Sequence, residues 1–246
     1  MELVAADVTP PVTAIRGGAA SATGRRRAVN EDAYVCGPTW FAVADGMGGH
    51  PAGRTASGIA IDVVGRSPVP ESIDELREVA TDANAEIRAT PCDDVSPGTG
   101  TTLVTVTAHA DGVAVMHIGD SRCYRLVGGE LTLVTRDHSF VQDLVDLGRI
   151  GPAEASDHRL RHLVTRALGT DPAVEPDVVV LPAPVGRLML CSDGLVRELS
   201  PQSVGRVLAG IAEPQAAAER LVELARRRGA DDDVTAMVID HGDAQR

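Results

Sequence analysis

The chain has 246 residues, a formal net charge of −12, 43% hydrophobic residues and only 2% aromatic residues. This length allows one globular domain, or two small ones, and the acidic balance argues against nucleic-acid or anionic-membrane partners, because no excess of basic residues can neutralise phosphates. All 23 basic residues are arginines, which excludes the P-loop lysine, the kinase strand lysine and Schiff-base catalysis.

The first half of the chain predicts a short N-terminal extension followed by strands and then helices. Residues 1–11 form the extension, and strand-like runs follow at 12–22, 33–36 and 40–44. Apolar residues at helical spacing predict a helix over 52–65. Ser72 and Glu75 have capping-box spacing and open a second helix. The stretch "TPCDDVSPG" that follows predicts a loop.

The second half is rich in strand signals. Strands are predicted at 99–108, 113–118, 122–127, 131–135, 174–181, 187–191 and 234–240, with "VGGE" as a hairpin turn. Short helices and loop over 139–167 indicate a mobile insertion, longer helices are predicted over 200–210 and 214–228, and a tail covers 241–246. Strands and helices that cluster separately favour an α+β fold over alternating βαβ units.

Acidic residues stand at the ends of four predicted strands. Asp45, Asp120 and Asp193 end apolar runs, and Asp231–Asp233 precede the last strand. Taken singly, each Asp–Gly or Gly–Asp pair is typical of a turn. If they converge, two carboxylates ~4 Å apart repel by about 4 kcal/mol at an effective dielectric of ~20, so protonation or a cation must relieve them. Aspartate oxygens without histidine or cysteine favour Mg²⁺ or Mn²⁺.

The glycine-rich stretch "GMGGHP" does not fit the familiar phosphate loops. Pro51 stands where a dinucleotide fingerprint needs its third glycine, Asp45 would repel a pyrophosphate, and no lysine completes a P-loop. We therefore interpret these glycines as letting the backbone approach the metals, with a carbonyl as a candidate ligand. Upstream, Arg25, Arg26 and Arg27 precede Glu31 and Asp32; a guanidinium here can bind phosphate as a bidentate fork, or simply belong to a solvated turn.

Taken together, the motifs resemble the metal-dependent protein phosphatase family (PPM, type 2C) in its compact bacterial form. The similarity is collinear over about residues 12–240 and runs through "GRRRAVNEDA", "VADGMGGHPAG", "GTGTTL", "HIGDSRCY", "TRDHSFV", "LVTRALG", "LCSDGL" and "DDDVT". It implies a single catalytic domain over 12–240 with a flap at about 139–167. The implied fold is a four-layer αββα sandwich: two antiparallel β-sheets packed face to face, with helices on both outer faces.

The resemblance also implies a ligand set for two Mn²⁺ or Mg²⁺ ions. Asp45 and a water would bridge them, with Asp193 and Asp232 completing the first ion and the Gly46 carbonyl binding the second. Glu31 would hold a metal-bound water. A third, weaker ion would use Asp120 with Asp193, and Arg27 would bind the phosphoryl oxygens. Asp45, Asp193 and Arg27 are thus the candidate catalytic residues.

The implied activity is hydrolysis of phosphoserine and phosphothreonine on proteins, reversing serine/threonine kinases. The expected partners are phosphorylated proteins, the kinases among them. Four widely spaced cysteines and the absence of an 18-residue apolar run favour a cytoplasmic protein, and we expect a monomer. A pseudophosphatase that binds phosphoproteins, a two-metal hydrolase of small phosphate esters and a phosphatase for an anti-sigma-factor antagonist stay open as alternatives.

Three departures from the family pattern qualify the site. Asp233 stands where an asparagine is usual, so Asp231 or Asp233 could replace Asp232 as the ligand. Met47 stands where many eukaryotic members have a histidine proposed as general acid, which leaves that acid unassigned. In the flap, His158 and His162 have helical i, i+4 spacing and are interpreted as a solvated helix face or flap contact, with a zinc pair or an approach of His162 to the third ion as alternatives. His50 and His138 are interpreted as ordering their loops.

Overall fold

Two antiparallel β-sheets form the centre of the molecule in this computed structural model, which describes residues 15–48, 51–91 and 99–242. The first sheet has the strand order β1-β11-β10-β7-β8 and the second has the order β2-β3-β5-β6-β9, with β4 paired to β3. The strands are β1 (Ile15–Ala22), β2 (Asp32–Cys36), β3 (Trp40–Met47), β4 (Gly100–Thr101), β5 (Leu103–His109), β6 (Gly112–Ile118), β7 (Arg122–Val127), β8 (Glu130–Leu133), β9 (Asp177–Pro182), β10 (Gly186–Cys191) and β11 (Val234–His241).

Strand alternation divides the apolar residues between two sides of each sheet. On β6, Val113 and Val115 face the other sheet, whereas Ala114, Met116 and Ile118 belong to a core layer under helices. Successive side chains of a strand point to opposite faces, so a strand covered on both sides is apolar at every position. This explains why the seven residues of β6 are all buried and why the run shows no polar alternation.

Helices cover the outer face of each sheet: α1 (Ala52–Arg66) and α2 (Ile73–Ala89) on the second sheet, and α5 (Asp193–Glu198), α6 (Pro201–Gly210) and α7 (Pro214–Arg228) on the first. Two short helices, α3 (Phe140–Asp146) and α4 (Pro152–Asp157), lie in the region predicted as the flap. Residues of α1, such as Ala60 and Val64, pack in the core layer between this helix and the outer face of the second sheet. Leu221 and Ala225 of α7 pack similarly against the first sheet. The predicted αββα sandwich is confirmed.

Local signals account for several boundaries. Gly128 and Gly129 both have positive φ and join β7 to β8, as the predicted two-residue hairpin requires. The Ser72 side chain accepts a hydrogen bond from the Glu75 backbone N–H, while the Glu75 carboxylate accepts from the backbone N–H of Glu71 rather than from that of Ser72. The reciprocal half of the predicted capping box is therefore shifted by one residue.

Two predicted boundaries after residue 170 are wrong. The strand predicted to begin at residue 174 begins at Asp177, because Pro176 has no backbone N–H to donate to a neighbouring strand. The stretch after Cys191 was predicted as a strand end with a turn, but Asp193–Glu198 forms the short helix α5 behind the N-cap Ser192. Within the described ranges, no helix is long and apolar enough to cross a membrane.

Candidate metal and phosphate site

The two sheets bring the strand-end acids to one end of the sandwich. In the second sheet, Asp45 of β3 lies in register opposite Asp32 at the start of β2. In the first sheet, β10 and β11 are neighbours, and Asp193 and Asp232 lie just beyond their adjoining ends. Asp32 connects the sheets: its Oδ2 accepts hydrogen bonds from the Ser192 hydroxyl at 2.7 Å and the Thr235 hydroxyl at 2.6 Å.

The gathered carboxyl groups resist ionisation. Burial raises the pKa of Asp45 well above its usual range, and the charges of Asp32, Asp193, Asp120 and Asp232 raise it further. Burial likewise raises the pKa of Asp32 to about 7, that of Asp120 to about 8 and that of Asp193 to about 6. Each carboxyl lies within electrostatic reach of its neighbours, so the predicted convergence of Asp45, Asp120, Asp193 and Asp232 is present in the fold.

Unsatisfied oxygens show that the cluster fits cations. Among the described residues, Asp32 Oδ1 and Asp193 Oδ1 are buried without a hydrogen-bond partner. A buried acceptor without a donor costs about 1–3 kcal/mol, more if it is charged, and a divalent cation is the ligand that can satisfy several such oxygens at once. Among the described residues, the acids that act on Asp45 offer carboxylate oxygens, which suit Mg²⁺ and Mn²⁺ rather than zinc.

The "GTGTTL" motif holds the backbone of Asp45. The Asp45 N–H donates to Thr102 Oγ1 at 3.0 Å, and the Asp45 carbonyl accepts from the Thr102 N–H at 2.9 Å and the Thr101 hydroxyl at 3.0 Å. Because β4 pairs with Gly46 and Met47, β3 continues two residues past Asp45, where the sequence predicted its end at residue 44. Asp45 is therefore a rigid strand residue rather than part of a flexible turn.

Gly46, the predicted carbonyl ligand, lies where no side chain fits. A Cβ at this position would stand 2.3 Å from the Gly53 carbonyl oxygen and 2.8 Å from the Glu31 carbonyl oxygen. Its N–H donates to that same Glu31 carbonyl at 3.2 Å. Glycine at residue 46 thus allows β3 to pack against the start of α1 and to hold the segment that carries Glu31.

We expect Gly46→Ala to destabilise the protein by about 1–3 kcal/mol, the usual cost of overpacking, because the clashing atoms all belong to the backbone of Gly53 and Glu31 and cannot move away. Chemical denaturation monitored by circular dichroism would measure this change. Gly58→Ala is the matched control, since a Cβ at Gly58 on α1 would meet nothing within 4 Å. Equal stability of both variants would contradict the packing argument.

Arg27 lies at the edge of the carboxylate cluster. Its Nε donates to Asp232 Oδ1 at 2.8 Å, its second amino nitrogen lies 2.6 Å from the same oxygen, and Nη1 lies 3.7 Å from Glu31 Oε2. The side chain keeps 34% of its surface exposed. It is therefore fixed by two acids of the cluster while its outer edge stays accessible to a ligand.

The three consecutive acids before β11 have different surroundings. Both carboxylate oxygens of Asp233 accept backbone N–H bonds, from Gly24 at 2.9 Å and Glu31 at 2.8 Å. Asp231 pairs with the exposed Arg25 and Arg26. Asp232 is the member within electrostatic reach of Asp45 and Asp193. This geometry favours Asp232 as the ligand, and it gives Asp233 the task of clamping the Glu31 segment to β11.

The histidines divide into ordering residues and flap residues. His138 accepts a hydrogen bond at Nδ1 from the Gly119 N–H, and its backbone N–H donates to the Gly119 carbonyl, so it orders its loop as predicted. His158 follows the end of α4 and His162 lies in a turn. The prediction that they share one helix face is therefore wrong, and the i, i+4 helical spacing that suggested a zinc pair is absent. Burial and the charge of Arg197 lower the pKa of His162, whereas the charge of Asp232 raises it. Because both charges belong to the carboxylate cluster, His162 places this part of the flap near the cluster. His50 lies outside the described residues.

A second group of potential ligands lies beside the flap. Ligand atoms of His117, His138 and Asp177 are within 4.8 Å of one another. His138 Nδ1 accepts from the Gly119 N–H, so in the neutral ring the proton is on Nε2, which lies 3.3 Å from Asp177 Oδ2. That tautomer offers no lone pair to a metal. The group is better explained as a buried contact that fixes the base of the flap.

Two residues of the site were missed by the sequence analysis. Asp32 was noted only as an acid near the arginines, yet it faces Asp45 and connects both sheets. Arg197 was not noted at all, yet its guanidinium contacts Asp193 and Asp232. The i, i+4 spacing of Asp193 and Arg197 would have indicated the contact if α5 had been predicted as a helix.

The raised carboxyl pKa values predict how the metal-free protein responds to pH. When the pKa of an acid is higher in the folded protein than in the unfolded chain, the free energy of unfolding falls as the pH rises between these two pKa values. Burial raises the pKa of Asp32 to about 7 and that of Asp120 to about 8, whereas the ordinary value is 3.8. Burial lowers the pKa values of His117 and His138. These histidines make the free energy of unfolding rise with pH, but mainly below about pH 6.5, the ordinary pKa of histidine.

We therefore expect the free energy of unfolding in EDTA to fall by about 1–2 kcal/mol between about pH 6.5 and pH 8.5. Urea denaturation at several pH values would measure it. Saturating Mn²⁺ should abolish the fall, because bound cations favour the ionised carboxylates. A metal-free protein whose stability rises over this range would contradict the arrangement of the acids.

An αββα sandwich with buried acids at one end of both sheets defines a class of metal-dependent phosphatases, and known proteins agree. The family model for protein phosphatase 2C matches residues 22–227. The serine/threonine protein phosphatase PstP of Mycobacterium tuberculosis is 41% identical over 234 residues, covering 92% of this chain and 45% of PstP. Protein phosphatase PhpP of Streptococcus pneumoniae is 31% identical over 230 residues, covering 88% of this chain and 93% of PhpP.

A solved structure extends the similarity to the fold. The crystal structure of the PstP catalytic domain in complex with two manganese ions matches with a TM-score of 0.82 and 40% sequence identity, covering 94% of this chain and 99% of that one. The chain belongs to the protein phosphatase 2C family, which confirms the resemblance seen in its motifs. It spans about half the length of the mycobacterial PstP.

Proposed function

We propose that this protein is a metal-dependent protein phosphatase that removes phosphate from phosphoserine and phosphothreonine. The observation that carries this proposal is the cluster of buried carboxyls around Asp45, with unsatisfied oxygens and raised pKa values, beside the half-exposed Arg27. Two divalent cations fit this donor set and, when bound, lower the pKa of a water and offset charge on the phosphoryl oxygens.

Each proposed ligand has a distinct task. Asp45 would bridge the two cations, Asp193 and Asp232 would hold one of them, and the Gly46 carbonyl would hold the other. Glu31, which is 1% exposed, would hold a metal-bound water. Asp120, with Asp193, would contribute to a third and weaker cation position. Mn²⁺ and Mg²⁺ both fit oxygen ligands, and the manganese in PstP makes Mn²⁺ the first to test.

Arg27 orients the phosphate. Its Nε and one amino nitrogen are held by Asp232, which fixes the plane of the guanidinium. The remaining N–H groups can bind phosphoryl oxygens as a fork and stabilise negative charge there. The residues of the chain thus bind and orient the phosphate, and no side chain need serve as nucleophile.

The proposal extends to the setting of the protein. We assign a single catalytic domain to residues 12–240, with a flap over 139–167, and expect a monomer in the cytoplasm. Its substrates are phosphorylated proteins, as the names of the relatives PstP and PhpP suggest. We expect serine/threonine kinases and their targets among them. The flap, which carries His162 near Asp232, lies where it can contact the protein substrate.

Hydrolysis of a phosphothreonine peptide tests the proposal. We expect Mn²⁺-dependent release of phosphate that EDTA abolishes and Asp193→Asn reduces to background, with slower hydrolysis of nucleotides and other small esters. Faster turnover of small esters would overturn the assignment to proteins. Mn²⁺ binding without hydrolysis of either substrate would indicate a phosphoprotein-binding scaffold instead.

A further inference from the structure

Arg197 places a positive charge inside the carboxylate cluster. It lies on α5, one helical turn after Asp193, and its side chain is only 23% exposed. Nη1 donates to Asp232 Oδ2 at 2.8 Å, and Nη2 contacts Asp193 Oδ2. One guanidinium therefore bridges two of the acids that the proposed function assigns to the same cation.

The charge of Arg197 acts on a third acid as well. Burial raises the pKa values of Asp120 and Asp193, and the charge of Arg197 lowers both. Arg27 engages Asp232 from the opposite oxygen, Oδ1, so the two arginines share that carboxylate. Arg27 sits at the edge of the cluster with 34% of its side chain exposed, whereas Arg197 is more enclosed.

A divalent cation and this guanidinium cannot both lie between the same two oxygens. A metal of this class binds carboxylate oxygens at about 2.0–2.2 Å and tolerates little distortion. A divalent cation and a guanidinium this close would also repel each other strongly, because both are positively charged and the site is largely screened from water. Asp193 Oδ1, which has no hydrogen-bond partner among the described residues, offers an incoming cation a first contact while Arg197 still holds Oδ2.

We infer that Arg197 is an internal cation that competes with a divalent metal ion for Asp193 and Asp232. The inference rests on the proposed metal site and makes Arg197 a positioning residue. Without metal, the guanidinium offsets part of the repulsion in the cluster. Metal entry then has to displace it from at least one carboxylate, so Arg197 weakens metal binding while it stabilises the metal-free fold.

Arg197→Gln separates these two effects because it removes the charge and keeps much of the side chain. We expect its Mn²⁺ dissociation constant, measured by electron paramagnetic resonance of free Mn²⁺, to be about ten-fold lower than that of the wild type. Its melting temperature in EDTA should fall, and the increase on adding Mn²⁺ should be larger. A residue that merely supports the fold would not tighten Mn²⁺ binding.

Matched variants make the outcome decisive. Arg220→Gln removes an arginine whose only described ion pair, with Glu223, is exposed on α7, and it should change neither measurement. Arg197→Lys keeps the charge without the bridging fork and should bind Mn²⁺ with intermediate affinity. Unchanged or weaker Mn²⁺ binding in Arg197→Gln overturns the inference, provided that the wild type binds Mn²⁺ and Asp193→Asn does not. If the wild type binds no Mn²⁺, the proposed metal site itself fails.

Discussion

Asp45→Asn is expected to lower kcat/KM on a phosphothreonine peptide by about 10³-fold or more, and at the same time to stabilise the metal-free protein. Asp45 is the carboxyl on which the charges of Asp32, Asp120, Asp193 and Asp232 all act. An amide of the same shape removes the cost of burying an ionisable group beside these acids, but it cannot bridge two cations. Loss of function together with a gain in stability is the signature of a residue retained for binding metal.

Phosphate release in Mn²⁺ and thermal unfolding in EDTA give the two measurements. Asp62→Asn is the control, because Asp62 is exposed on α1 and lies outside the cluster, so it should alter neither value. Activity of Asp45→Asn within ten-fold of the wild type would remove Asp45 from the metal site. A strong loss of stability in EDTA would instead mean that its carboxylate is needed for folding.

The core of the fold could be predicted because its elements bury residues in simple periods. The run on β6 is apolar except for the buried His117 because both of its faces are covered, and the small residues of α1 recur every three or four positions. Boundaries were less predictable where another segment extends or replaces local structure. β3 continues to Met47 only because Gly100 and Thr101, more than fifty residues later, pair with it.

Asp45, Asp120, Asp193 and Asp232 could be found because each acid interrupts or borders an apolar strand, which is visible in the sequence. Asp32 also borders a predicted strand, but its role depends on Ser192 and Thr235, which are distant in the chain and come close only when the two sheets pack. Arg197 was hidden for a similar reason, because one of the two acids that it contacts is Asp232, in the loop before β11. Side-chain pairs between sheets depend on tertiary packing that no local pattern contains.

The second large effect concerns the phosphate rather than the metals. Arg27→Ala is expected to lower kcat/KM on a phosphothreonine peptide by about 10²–10³-fold, the usual cost of losing a charged donor to the reacting oxygens. Arg27→Lys should recover only part of the activity, because an ammonium group cannot form the two parallel hydrogen bonds of a guanidinium. Mn²⁺ binding should be no weaker in either variant, since Arg27 occupies Asp232 Oδ1 as a competing cation.

Kinetics with the phosphopeptide, inhibition by inorganic phosphate and Mn²⁺ titration together separate this role from metal binding. Arg26→Ala is the neighbouring control: its side chain is 79% exposed and pairs only with Asp231 among the described residues, so its kcat/KM should stay near that of the wild type. Weaker inhibition by phosphate in Arg27→Ala, with Mn²⁺ binding intact, is the expected pattern. If Mn²⁺ binding falls in parallel with activity, Arg27 supports the metal site through Asp232 and does not bind the phosphate.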